Sequence, residues 1–185
     1  MTPKRILIAI FVLFCAISLG YISLPNFDFP KPPPDSLQSQ EPGDTETPLR
    51  RAYFTNYTRS QVLDWYKGEF EGSSFLGIKL PTYLMNYPPE DAQTIIRDQT
   101  RTTFLQEVVH PFRESFYING FEPTAAKDAI FIGGKAWRQK IIIRFIPSLI
   151  WVRIAIFAGT AVFMVILFEA WVATINDLKK VRIKQ

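Results

Sequence analysis

Hydrophobic residues along the 185-residue chain fall into two long blocks, separated by a stretch of shorter and more mixed patterns. The first block, Ile6–Leu24 (ILIAIFVLFCAISLGYISL), runs for 19 residues without a charge. On a helix that length covers the hydrocarbon core of a bilayer. The second, Phe145–Ile175, holds only two charges, Arg153 and Glu169, and two tryptophans, Trp151 and Trp171. The tryptophans are separated by about 30 Å of helix, again the thickness of a bilayer core. Tryptophan favours the membrane–water boundary, because its ring is apolar while its N–H needs a partner. The pattern predicts transmembrane helices over residues 6–24 and 147–175, with Trp151, Trp171 and Arg153 as interface anchors. A cleaved signal peptide competes for the first block, since Lys4 and Arg5 precede it and Ser18 and Gly20 carry cleavage-site spacing. Its apolar core exceeds the roughly 7–15 residues of such a segment, so a retained anchor is expected.

Between the blocks the periodicity changes twice. Residues 25–48 contain seven prolines and the acids Asp28, Asp35, Glu41, Asp44 and Glu46, against Lys31 alone. Proline fixes φ and removes a backbone donor, which predicts an extended, partly polyproline II spacer rather than part of a sheet. Residues 49–146 then read as one small α+β domain. Thr58 is a good N-cap for a helix to about Glu71, with Val62, Leu63, Tyr66 and Phe70 on one face. Phe75–Tyr87 reads as extended, and Pro81 marks an edge strand or bend. Pro88-Pro89-Glu90-Asp91 opens a second helix, with Ala92, Ile95 and Ile96 inward, Arg97, Asp98 and Arg101 outward, and an end near Thr102. β-like runs follow at Phe104–Val109, Glu114–Phe121, Ala129–Ile132 and Trp137–Ile146, and Gly133-Gly134 suits a hairpin turn. In the last run Ile141, Ile143 and Phe145 alternate with Lys140, Ile142 and Arg144, the pattern of a sheet buried on one face. The expected fold class is a membrane protein with two transmembrane helices around a small α+β domain, two helices packed on one face of an antiparallel sheet.

Charge adds an orientation. The net charge of +4 is concentrated at the ends: Lys4 and Arg5 precede the first block, and Lys179, Lys180, Arg182 and Lys184 follow the second. Basic flanks favour the cytoplasmic face, which predicts a two-pass chain in the cell membrane with residues 1–5 and 176–185 both cytoplasmic. Because the basic residues hug the membrane ends, the lipid bilayer is the expected partner and nucleic acid is not. Glu169 stands out: it is a short acid near the cytoplasmic end, and it is predicted to pair with Lys4, Arg5 or a partner's base.

Candidate chemistry is sparse. His110 is the only histidine, and with Arg113 and Glu114 it forms a candidate functional loop broken by Pro111. General acid–base work at His110 would use Glu107 or Glu114. One histidine and one cysteine, Cys15 inside the first block, make neither a metal site nor a disulfide. Gly133-Gly134-Lys135 lacks the flanks of a phosphate loop, so no cofactor is expected. Aromatics crowd the domain, from Tyr53, Phe54 and Tyr57 through Trp65, Tyr66, Tyr83 and Tyr87 to Phe112, Phe116, Tyr117 and Phe121; most are expected to form its core, and an aromatic patch for a protein partner or carbohydrate is the alternative. The expected function is a non-enzymatic membrane-anchored subunit or scaffold, contacting a membrane protein partner or its own copies. A ligand sensor coupled to the second span is the alternative, and an envelope enzyme using His110 the third reading.

Overall fold

The computed structural model describes residues 3–72, 74–75, 77–96 and 101–183. It divides into two compact units, residues 1–25 with 149–185, and residues 26–148.

The first unit is a helix pair. Helix α1 covers Pro3–Ile22, with proline at its first position, where a missing N–H costs nothing. Helix α4, Ile150–Ile183, is the last element of the chain. Lys4–Ile22 and Ile150–Asn176 are both long and apolar enough to cross a membrane. Their large side chains, Leu13 and Phe14 or Phe163 and Leu167 for example, point outward and are exposed. Helix α4 runs past the boundary expected at 175, because residues 176–183 hold no glycine or proline to stop it. Lys184 and the side chains of Lys179, Lys180 and Arg182 lie outside the described residues.

The second unit is built on a six-stranded antiparallel sheet in the order β1-β2-β10-β7-β6-β5. Its strands are β1 (Leu37–Gln38), β2 (Arg50–Thr55), β5 (Tyr83–Tyr87), β6 (Phe104–Val109), β7 (Ser115–Phe121) and β10 (Gln139–Ile146). Two small hairpins stand apart, β3 (Ser74–Phe75) with β4 (Ile78–Lys79), and β8 (Ile130–Ile132) with β9 (Lys135–Trp137). Helix α2, Arg59–Glu71, starts at Thr58 with a full capping box, in which the Thr58 hydroxyl accepts from Gln61 N and the Gln61 side chain accepts from Thr58 N. Its buried face, Val62, Tyr66 and Phe70, packs on Phe104, Val108, Phe116, Ile118, Ile141, Ile143 and Phe145. Gly120 opposes Phe104 across β6 and β7, and the Phe104 ring lies where a Cβ would stand. That close approach makes glycine necessary there.

Three expectations are corrected. The sheet is covered on both faces, not one. Ile142, on the face opposite Ile141, packs with Ala52, Leu105, Ala92 and Ile96 in a second cluster, so the second helix lies across the sheet from α2. That helix, α3, is one turn long, Ala92–Ile95, entered through a 3₁₀ turn at Pro89–Asp91. Arg97 and Asp98 lie outside the described residues, while Arg101 reaches Asp128 at 3.3 Å.

The third correction concerns residues 26–48, which wrap the domain instead of standing clear of it. Phe27 packs edge-on to Phe70 and Phe29 to Phe145, while the Trp65 indole N–H donates to Lys31 O at 3.2 Å. The proline-free window around Leu37 then adds β1 to the edge of β2. Beyond it, on the other face, Lys140 Nζ lies 2.6 Å from both Glu41 Oε2 and Asp44 Oδ2. Proline denies this segment a long ladder, but it does not deny it aromatic packing and ion pairs.

Candidate functional site

The loop of the only histidine is a tight turn between β6 and β7. Arg113 N donates to His110 O at 3.0 Å, and His110 N donates to Glu114 O at 3.1 Å. Proline at the second position and a positive φ of 60° at Phe112 in the third define a turn that normally takes glycine there. His110 and Glu114 point to the α2 face and are fully buried. The imidazole stacks on Phe70, centroids 3.8 Å apart, with Nδ1 2.9 Å from Glu114 Oε1 and Nε2 3.2 Å from Phe70 O. Arg113 donates to both Glu114 oxygens, at 2.9 and 3.2 Å, and Phe27 N donates to Oε1 at 3.3 Å. Burial pushes the Glu114 carboxyl up, but the His110 bond, the backbone bond and the Arg113 charge together hold it below its ordinary value. A general acid–base residue has to reach its substrate. His110 does not reach solvent, and its ring ties the end of α2 to the hairpin.

Glu107, the other acid weighed for His110, faces away from it. Strand alternation separates positions 107 and 110 onto opposite faces of β6, a signal available from the spacing alone. There Glu107 accepts from Ser115 Oγ at 2.5 Å and from Tyr87 OH at 2.6 Å. Burial, then the bond to and charge of Glu107, push the Tyr87 phenol well up, so it stays a donor. Among the described residues no group of three or more His, Cys, Asp or Glu side chains converges as a metal site.

In the helix unit, Lys4 Nζ and Glu169 Oε1 approach to 3.9 Å with both side chains exposed. Arg5 is exposed and Lys4 is the residue facing Glu169. The pair closes one end of an apolar groove of about 550 Å³, lined by Leu7, Ile8, Phe11 and Val12 of α1 and Met164, Val165 and Phe168 of α4. These positions recur every three to four residues on each helix and run in opposite senses, so the helices are antiparallel along this seam. Trp151 and Trp171 are exposed, at 68% and 62%. Arg153 is buried at 6% exposure.

The sheet has two unlike edges. Strand β1 is two residues long and lies between prolines 34 and 42, which blunts that edge. Strand β5 reads Tyr-Leu-Met-Asn-Tyr without a charge, pairs only with β6 among the described residues, and exposes Tyr83, Leu84 and Met85. Two further aromatics stand out from hairpins, Phe112 at 85% exposure and Phe131 at 69%. Compared with known proteins, the chain matches no family model, no curated protein and no solved structure.

Proposed function

We propose that the chain is a two-pass protein of the cell membrane, with both termini cytoplasmic, that works as a contact subunit or scaffold for a protein partner. The observation that carries this reading is the β5 edge: an uncharged, exposed strand presents backbone donors and acceptors that another extended segment satisfies. The antiparallel helix pair supports the topology, since two antiparallel spans return both ends to one side, where the basic flanks lie. The Lys4–Glu169 pair gains strength as its surroundings become less polar and fixes the register of the two helices. Purification of the full chain in mild detergent is expected to yield a stoichiometric partner or a homo-oligomer. Leu84→Lys, a charge on the exposed edge, is expected to release that partner without lowering the melting temperature. A clean monomer at native expression overturns the proposal.

One observation favours a sensor as the second reading. Strand β10 is flanked by β2 and β7 and ends at Ile146, and only residues 147–149 separate it from α4. A ligand that strains the sheet has a short covalent path to the helix. A small-molecule screen for thermal shifts of the full chain tests this, and no hit would remove it.

A further inference from the structure

The turn at Pro111-Phe112 belongs to the end of the domain through which the chain passes to both apolar helices. Entry is fixed by Phe27, whose N–H donates to Glu114. Exit is fixed by register, because Ile146, the last residue of β10, lies opposite Ser115, the first of β7. Phe112 lies three residues before Ser115, at the end of the ladder where β10 finishes. The other exposed phenylalanine serves as an internal contrast. Phe131 belongs to the hairpin that joins the sheet at the start of β10, near Gln139 and Thr55, the far end of the same strand.

Phe112 is held out with unusual firmness. Proline fixes the residue before it, two backbone bonds close the turn, and the buried His110–Glu114–Arg113 cluster sits directly beneath. The ring itself touches almost nothing, at 85% exposure, on a backbone conformation that an aromatic side chain adopts only at a cost. Strain retained at an exposed apolar residue points to a contact made outside the domain.

We propose that Phe112 inserts into the interfacial layer of the same membrane that α1 and α4 cross, as an apolar peg that sets the tethered end of the domain on the lipid surface. The inference rests on the two-pass reading and names lipid as the occupant of this site. An aromatic ring at a headgroup boundary finds an apolar surrounding that solvent denies it.

The test uses the full chain in phosphatidylcholine vesicles, with Cys15→Ala and either Phe112→Cys or Phe131→Cys labelled by an environment-sensitive fluorophore. Emission at position 112 is expected to shift to the blue and to be quenched by spin-labelled lipid, while position 131 shows neither. As a second measurement without substitution at the tip, the unmodified chain is irradiated with a lipid bearing a diazirine in its acyl chain. Adducts are expected on the peptide holding Phe112 and not on that holding Phe131. Equal behaviour of the two positions, or no lipid contact at 112 in a chain that resists carbonate extraction, overturns the inference alone. A chain that carbonate extracts overturns the two-pass reading together with it.

Discussion

The β6–β7 and β8–β9 hairpins both turn through positive φ and meet that demand with opposite residues. In β8–β9, Ile132 pairs with Lys135 across Gly133-Gly134, both at positive φ, of 61° and 74°. Glycine populates that region freely, and a two-residue turn of this kind matches the twist of its strands. In β6–β7 the positive φ falls on Phe112, a bulky residue poorly suited to it, and buried groups beneath it hold the turn shut. The first hairpin is specified locally by its turn. The second is specified by tertiary contacts, His110 to Phe70 of α2 and Glu114 to Phe27. A turn that departs from its own local preference and is held by distant residues has the character of a functional position.

The largest test of that difference removes the support. Glu114→Gln removes a buried carboxylate that accepts from Arg113 and Phe27 and contacts His110. Breaking a buried pair in this way costs about 3 kcal/mol, read as a lower melting temperature of the full chain. Acid should act in the same direction. Glu114 is held below its ordinary value of 4.5, so its contribution is complete above that pH and is lost as the pH falls through the lower folded value. The melting temperature should therefore drop with acid more steeply for the parent chain than for Glu114→Gln. Parallel curves would show that the cluster does not carry the turn.

The glycine hairpin is expected to respond to a change in its own turn. Beyond its own chain neighbours, no atom lies within 4 Å of a Cβ placed on Gly134. Gly134→Val therefore meets only the backbone cost of a left-handed conformation, about 1–2 kcal/mol. Amide exchange over residues 130–137 should quicken while the six-stranded sheet keeps its protection. A global loss of stability would mean that this hairpin is part of the main cooperative unit.

How much of this was readable along the chain divides on the same line between local and distant causes. Thr58 as a helix cap, the Gly133-Gly134 turn and the Phe104–Val109 strand carry their signals within a few residues, and each falls where its pattern puts it. Residues 26–48 do not, because what holds them is far away: Phe70 and Phe145 for the aromatics, Lys140 for Glu41 and Asp44. Prolines correctly forbid a long strand and say nothing about docking. Helix α3 is shorter than its apolar spacing suggests, and its residues serve as a lid over Ile142 on a face that the strand pattern left open. At the candidate site, the closeness of His110 and Glu114 was legible, whereas the strained φ at Phe112 was not. Pro111 marks a turn but does not say which residue must turn left.

The smallest predicted effect has an unusual sign. Phe112→Gly removes a left-handed backbone cost of about 1–2 kcal/mol and adds about 0.5–1 kcal/mol of unfolded-chain freedom, leaving the variant more stable by at most about 1.5 kcal/mol. The ring is 85% exposed, so little packing is lost with it. Phe131→Gly, in a β-strand without positive φ, should instead lose stability by about 1 kcal/mol or less, since glycine only weakens a strand. Opposite signs at two exposed phenylalanines, measured by melting the full chain, isolate the turn from the side chain. The surroundings sharpen the comparison further. In lipid vesicles the gain at position 112 should shrink relative to detergent, because there the ring has a lipid contact to lose, whereas the loss at 131 should stay the same. A Phe112→Gly chain that melts lower than the parent in both media would place the ring against the protein, and the strain would then be repaid within the fold.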